Sequence, residues 1–139
     1  MPDVAASLNI GEASSRDDAA SILDRTVLDA LAAEIGEEVM DLALGMFFEE
    51  TNDRLRLLHR LACPVDREAI GFEAHSLKGS AGTFGLCELS RLAAALECDA
   101  ATITGSDYAS ALDRLDTAHA SSRAQFPALT AAQSTPAGR

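Results

Sequence analysis

A histidine followed three residues later by a lysine, and then at once by a glycine, lies near the middle of the sequence, at His75, Lys78 and Gly79. A neutral imidazole is a good nucleophile near pH 7. On a helix, a lysine three residues away projects to the same side, where its ammonium group can stabilise the charge on phosphoryl oxygens. This combination favours the transfer of an anionic group to the histidine.

Glycine interrupts the same helical segment repeatedly, at Gly71, Gly79 and Gly82. A glycine inside a helix costs about 0.8–1.0 kcal/mol relative to alanine, and alanine is frequent elsewhere in the chain. Because a glycine lets another molecule approach the backbone closely, we interpret Gly71 and Gly79, which lie one turn before and after His75, as clearance around the imidazole. A second protein could then bring its own reacting group in line with His75.

The run AHSLKGSAGTFG, from Ala74 to Gly85, closely resembles the phosphotransfer helix of histidine-containing phosphotransfer (HPt) domains. The matching residues are His75, Lys78, Gly79, Ser80, Ala81 and Gly85. The resemblance extends less specifically over residues 23–115. It implies that His75 is the phosphorylated residue and that Lys78 lies beside the phosphoryl group.

One position departs from the pattern of that family. Many members carry a glutamine on the following helix that orients the imidazole, and counting from His75 without a gap places Glu97 there. A carboxylate can accept the Nδ1 proton equally well, and it favours the imidazolium form. The resemblance therefore implies that Glu97 orients the ring, and the alternative is a solvated residue near the end of its helix.

Helical periodicity predicts five segments that must position these residues, over about 25–35, 37–61, 67–84, 86–100 and 107–125. Alanine and leucine, both strong helix formers, dominate an apolar content of 47%. Asp24 and Asp66 are candidate N-caps, and Gly36 is expected just past the first helix. Short connections make successive helices antiparallel. We predict an all-α protein, an up-and-down four-helix bundle with an additional short N-terminal helix.

The 139 residues are enough for one domain with one core. The bundle is expected to span residues 21–129, between flexible tails at 1–20 and 130–139 that lack a sustained period. The third helix presents a narrow apolar stripe to the core, which comprises Ile70, Ala74, Leu77, Ala81 and Phe84.

The second helix carries two apolar lines. The predicted core face consists of Val39, Leu42, Ala43, Met46, Phe47, Leu57 and Leu61. A further line at Leu44, Phe48 and Leu55 is interpreted as packing against the first helix, and the alternative is a docking patch for a partner helix.

The net charge of −11 argues against nucleic-acid and anionic membrane partners, because both would be repelled. Cys63, Cys87 and Cys98 are odd in number and lack ligand spacing, which indicates small buried thiols in a reducing compartment. No secretory signal or membrane-spanning run is recognisable, so we expect a cytoplasmic protein. We also expect a monomer, because one bundle can bury its own core.

No nucleotide-binding motif is present in the sequence. We therefore expect a phosphoryl carrier rather than an enzyme with its own ATP site, and no cofactor or metal of its own. The resemblance implies that response-regulator receiver domains are the partners and supply the Mg²⁺, with a hybrid histidine kinase as a further partner. The alternative function is a non-catalytic bundle that binds a signalling partner, and the intact histidine, lysine and glycine argue against it. A di-iron enzyme is disfavoured because paired E-x-x-H sequences are missing.

Overall fold

The computed structural model describes residues 22–126. They form the helices α1 (Arg25–Ile35), α2 (Glu37–Arg60), α3 (Arg67–Thr83), α4 (Cys87–Asp99) and α5 (Gly105–Ala124). No strand occurs within this range, so the predicted all-α class is confirmed, and every helix boundary lies within two residues of its expected position. The tails expected at 1–20 and 130–139, and the outer limits of the expected 21–129 bundle, lie outside the described residues.

Both ends of α1 are set by local sequence. The Asp24 carboxylate accepts hydrogen bonds from the backbone N–H groups of Thr26 and Val27 at 3.1 and 3.3 Å, which satisfies donors that a helix start leaves free. Gly36 follows α1 with a φ of +90°, a conformation that favours glycine. The chain therefore turns sharply there, and α2 begins at the next residue.

The predicted cap at Asp66 is wrong in its chemistry. Asp66 does occupy the position before α3, but its side chain makes no capping hydrogen bond. Instead, its carboxylate accepts from the backbone N–H of Ala62 at 2.7 Å. The side chain thus braces the connection between α2 and α3 rather than the start of α3.

The helices α2 to α5 form a closed ring in which each packs on the next and α5 packs back on α2. The rings of Phe47 and Phe84 lie 5.3 Å apart, and Arg54 pairs with Glu73 at 2.6 Å. Because the numbers rise along α2 as they fall along α3, these two helices are antiparallel. α1 packs against α2, so the structure is an up-and-down four-helix bundle with a short additional helix, as predicted.

The buried face of α3 matches the sequence pattern. Ile70, Ala74, Leu77 and Ala81 are completely buried, and Phe84 packs against the edge of the core. A stripe this narrow leaves most of the α3 circumference outside the core. The opposite side of the helix is therefore available to a second molecule.

The buried face of α2 differs from the predicted one. Val39, Leu42 and Met46 are 51%, 66% and 64% exposed, whereas Leu44, Phe48 and Leu55 are buried. Both apolar lines have helical spacing, so periodicity alone could not choose between them. The helices that pack on α2, which are α1, α3 and α5, select the second line. Its burial excludes a docking patch at those three residues.

The end of α2 is held by a side chain from α5. The hydroxyl of Tyr108 donates a hydrogen bond to the carbonyl of Leu58, which lies in the last turn of α2, where carbonyls lack helical partners. Burial raises the pKa of Tyr108 to about 12. The phenol is therefore a neutral donor at physiological pH and ties α5 to α2.

The three cysteines are free. Cys63 and Cys87 are partly buried, but Cys98 is exposed near the end of α4, so the expectation of buried thiols is wrong for Cys98. Burial, together with the nearby Asp24 carboxylate, raises the pKa of the Cys87 thiol.

Among residues 22–126, no helix is both long and apolar enough to cross a membrane.

Candidate functional site

His75 stands on the outer side of α3. It directly follows the fully buried Ala74, so the helical rotation of about 100° per residue turns it away from the core and toward α4. Its side chain is 63% exposed. An exposed imidazole on a rigid helix is accessible to a reacting group on another protein.

One carboxylate from α4 binds both polar groups of the predicted site. Oε2 of Glu97 lies 2.8 Å from Nδ1 of His75, and Oε1 of the same residue lies 2.9 Å from Nζ of Lys78. The structure thus brings together the histidine, the lysine and the acidic residue that the sequence singled out. Glu97 is half-buried rather than freely solvated.

The hydrogen bond to Glu97 assigns the protons of the imidazole. An ionised carboxylate only accepts hydrogen bonds, so Nδ1 of His75 must be the donor. In the neutral ring, Nε2 then carries the lone pair. Nε2 has no hydrogen-bond partner among the described residues. In its neutral form, the ring therefore presents Nε2 as the nitrogen that carries the free lone pair.

The electrostatics keep Glu97 in its charged form. The Lys78 ammonium, and after it the His75 imidazole, hold the pKa of the Glu97 carboxyl below its usual range by hydrogen bonding to it. Two donors thus stabilise one anion. Glu97 consequently remains an acceptor for the Nδ1 proton throughout the neutral pH range.

The three glycines of α3 have different surroundings. A Cβ atom on Gly79 would meet nothing within 4 Å, so the surface one turn after His75 is open, as the clearance interpretation requires. A Cβ on Gly71 would lie 3.5 Å from Ala100, and one on Gly82 would lie 3.6 Å from Ser90. Those two glycines face α4, and clearance around the imidazole is therefore wrong for Gly71, which is half-buried there.

The turn after α3 sets the position of Glu97. Gly85 has a φ of +70°, and a Cβ there would approach the carbonyl oxygen of Asp24 to 2.9 Å. The backbone N–H of Asp24 in turn donates to the Gly85 carbonyl at 2.7 Å. This close approach requires glycine, and it lets α4 fold back along α3.

The register between α3 and α4 is fixed by a further contact. The Ser90 hydroxyl donates to the carbonyl of Lys78 at 3.0 Å, midway between the turn and the site. With the turn at Gly85, this contact aligns α4 so that Glu97 reaches His75.

Phe72 is a surface residue of the site that the sequence reasoning did not identify. It lies three residues before His75, on the outer side of α3, and is 67% exposed. A single exposed apolar residue is ordinary, but Phe72 borders the imidazole, so its ring offers apolar area to a protein that docks there. The sequence did contain a signal for this residue. Phe72 does not fall on the helical repeat of Ile70, Ala74 and Leu77, so its side chain points away from the core.

No group of three or more His, Cys, Asp and Glu side chains is arranged to hold a metal ion within residues 22–126. The other two histidines lie elsewhere. His59 pairs with Asp116 at 2.8 Å, and His119 is buried, with a pKa lowered mainly by burial.

The family model of the Hpt domain matches residues 42–125 of the chain. That range includes the whole of α3 and α4 and covers more than half of the sequence. The chain therefore belongs to the Hpt domain family, whose members carry phosphoryl groups in phosphorelays and are carriers rather than catalysts. No curated protein and no solved structure matches the chain.

Proposed function

We propose that the protein accepts a phosphoryl group on Nε2 of His75 and exchanges it with the aspartate of response-regulator receiver domains in a two-component phosphorelay. The observation that carries this proposal is the hydrogen bond from Nδ1 of His75 to Glu97 at 2.8 Å. It directs the lone pair of the neutral ring to Nε2, on an exposed face of α3.

In the transfer step, the lone pair of Nε2 attacks the phosphorus of an aspartyl phosphate. An N–P bond forms, the bond from phosphorus to the aspartyl oxygen breaks, and its electron pair leaves with the partner's carboxylate. The Nδ1 proton stays on the ring. The positive charge that develops on the imidazole is stabilised by the Glu97 carboxylate that already binds it.

Lys78 is proposed to stabilise the transferred group. Its ammonium has three donors, so one can remain on Glu97 while another reaches a phosphoryl oxygen. The equatorial oxygens carry most of the charge in the transfer. Lys78 and Glu97 therefore act on opposite ends of the same reaction, the lysine on the phosphoryl group and the carboxylate on the ring.

The receiver domain is proposed to dock over Phe72, His75 and Gly79. The open surface at Gly79 admits the partner's backbone, and the exposed ring of Phe72 offers apolar contact. In this proposal the receiver supplies the Mg²⁺ and the carrier needs neither a cofactor nor an ATP site of its own. A hybrid histidine kinase as a further partner, a cytoplasmic location and a monomeric state belong to the same proposal.

Phosphoryl transfer from a panel of phosphorylated receiver domains, in Mg²⁺, tests the proposal with the wild type and His75→Gln side by side. An acid-labile, base-stable label on the wild type alone is the expected result. Circular dichroism should show equal helicity and melting for the two proteins, because the side chain is exposed. A folded wild type that takes no label from any receiver would favour the alternative, a non-catalytic interaction module.

A further inference from the structure

The acceptor of the Nδ1 proton in the site is a group that cannot donate a hydrogen bond. An ionised carboxylate only accepts, whereas a glutamine side chain carries both an oxygen acceptor and N–H donors. If Nδ1 of His75 lost its proton, its lone pair would face Oε2 of Glu97 across a distance of 2.8 Å. A glutamine in that place could rotate its amide and donate to the bare nitrogen, but an ionised glutamate cannot. The geometry therefore disfavours a ring without a proton on Nδ1.

Lys78 keeps this proton from moving to the carboxylate. A protonated Glu97 could donate to Nδ1 and remove the repulsion, but it would lose its ion pair with Nζ of Lys78 at 2.9 Å. The lysine, and after it the histidine, holds the pKa of the Glu97 carboxyl below its usual range. The carboxylate thus stays ionised, and the proton stays on the ring.

The Nδ1 proton controls reactivity once Nε2 of His75 carries a phosphoryl group. When the N–P bond breaks, its electron pair returns to Nε2. If Nδ1 holds its proton, the group that leaves is a neutral imidazole. If Nδ1 is bare, the leaving group is an imidazolate anion, which must take a proton from solvent as it departs. The protonated ring therefore releases the phosphoryl group much more readily.

We propose that Glu97 sets the lifetime of the phosphorylated carrier, because it holds the proton on Nδ1 and so keeps the phosphoryl group in its readily transferred form. This inference rests on the proposed function and adds the regulation of the same site. In the loss to solvent, a water oxygen attacks the phosphorus, the N–P bond breaks and its electron pair goes to Nε2. The ring returns to its neutral form with Nδ1 protonated, and dihydrogen phosphate leaves with both protons of the water.

Glu97 is the charge that governs the protonation of this ring. The helices α2 and α4 pack on α3. From α4, Glu97 bonds to the ring, and on α3 itself Lys78 bonds to the same carboxylate. The charged pair that joins α3 to α2, between Arg54 and Glu73, is closed on itself at 2.6 Å. Within residues 22–126, no other side chain is hydrogen-bonded or ion-paired to the ring. A change of charge at position 97 should therefore dominate its pH dependence.

The test uses the full-length protein and phosphoramidate, a small phosphoryl donor, so that loading of His75 does not depend on any receiver. Nε2 attacks the phosphorus of phosphoramidate, the P–N bond of the donor breaks, and ammonia leaves with the electron pair. The donor is then removed. ³¹P NMR follows the loss of the phosphoryl group from the wild type and from Glu97→Gln over a series of pH values, and ¹⁵N shifts of the phosphorylated ring report whether Nδ1 holds its proton.

We expect the wild type to lose the phosphoryl group about three- to tenfold faster than Glu97→Gln at about pH 8, in keeping with the effect of one close opposite charge on a titrating group. The pH midpoint of the loss rate should lie lower in Glu97→Gln than in the wild type, and so should the midpoint of the ¹⁵N shift. A role for Glu97 in ring orientation alone would slow the loading of the variant without moving either midpoint.

The matched control is Glu88→Gln, which removes a carboxylate from the same helix. Glu88 pairs with Arg91 at 2.7 Å and lies nine residues before Glu97, or about 13 Å along the helix axis at 1.5 Å per residue. The phosphorylated Glu88→Gln protein should have the lifetime and the midpoints of the wild type. Circular dichroism should show equal helicity for the three proteins.

The inference and the proposed function fail in different experiments. Equal lifetimes and midpoints for the wild type and Glu97→Gln, or a longer-lived wild type at about pH 8, would overturn the inference. A protein that phosphoramidate labels on His75 with the expected lifetimes, but that exchanges the group with no receiver, would contradict the proposed function and leave the role of Glu97 supported. A folded protein that phosphoramidate does not label would contradict both.

Discussion

Nδ1 of His75 lies 2.8 Å from Oε2 of Glu97, a residue 22 positions later on the neighbouring helix. The acceptor is a carboxylate, so it brings a charge as well as a hydrogen bond, and its other oxygen binds Lys78 at 2.9 Å. One acidic side chain therefore connects the nucleophile with the cation beside it. Any change at Glu97 should alter both.

Substitution of Glu97 should separate orientation from charge. Glu97→Ala removes the acceptor of the Nδ1 proton, and we expect phosphoryl uptake to fall about 10–100-fold, as for other groups that orient a functional histidine. Glu97→Gln keeps an acceptor and should lose less. Quench-flow measurement of label on His75 checks this, with the imidazole ¹⁵N shifts reporting the ring tautomer. Equal rates for the wild type and Glu97→Ala would contradict the positioning role.

The Glu97 carboxyl should titrate with a pKa below the usual range of a glutamate. Its folded-state pKa is lowered, first by Lys78 and then by His75, so the paired, ionised form is present above the usual range of a glutamate and is lost only as pH falls through the lowered pKa. Carboxyl ¹³C shifts measured against pH give the midpoint. Lys78→Met should raise it, whereas Lys78→Arg should leave it low.

A side chain at position 79 should be compatible with folding but should obstruct the approach of a partner protein. A Cβ there meets open space, so Gly79→Ala should stabilise the fold by about 0.8–1.0 kcal/mol in urea unfolding, the usual gain in a helix. Gly79→Leu should also fold, yet slow transfer from a receiver by obstructing its approach. Gly71→Ala, which faces Ala100 instead, is the matched control and should transfer normally. Unimpaired transfer by Gly79→Leu would remove the clearance argument.

Gly85→Ala, unlike Gly79→Ala, should destabilise the fold. The φ of +70° and the approach of a Cβ to 2.9 Å from the Asp24 carbonyl make it destabilising, by about 1 kcal/mol or more. Because the turn aligns α4, the His75–Glu97 hydrogen bond should weaken too. Urea unfolding and the ¹⁵N shifts of His75 measure the two effects, and wild-type values for both would contradict the role given to this turn.

Tyr108 gives a clean alkaline titration, because it is the chain's single tyrosine and tryptophan is absent. Its pKa is raised to about 12 in the folded state, so its contribution to stability is complete below the unfolded value of about 10 and is lost as pH rises toward 12. Absorbance at about 295 nm should show the late midpoint in buffer and the ordinary one in urea. Tyr108→Phe should cost about 0.5–1.5 kcal/mol, the usual net worth of a hydrogen bond.

The helices were predictable because their signals are local. Asp24 and Gly36 mark the ends of α1 through capping and backbone conformation, and the stripe from Ile70 to Ala81 fixes the buried side of α3. Glu97 was found by counting along the resemblance, since an uninterrupted hairpin keeps that spacing. These inferences needed no knowledge of how the helices pack together.

The incorrect predictions concern features that depend on how the helices pack against each other. α2 carries apolar residues on two faces, and the positions of the helices that pack on it determine that Leu44 is buried and Leu42 exposed. The contact of Gly71 with Ala100 depends in the same way on how α4 lies against α3. Phe72 was missed because it lies two positions from both Ile70 and Ala74, and a single apolar residue away from the stripe forms no helical repeat of its own.

The turn at Gly85 has a consequence for how such a protein can diverge. His75, Lys78 and Glu97 all belong to the single hairpin that this turn closes, and the remaining helices contribute burial but no reacting group to the site. The outer faces of the other helices can therefore change their sequence while the hairpin keeps its three polar side chains together.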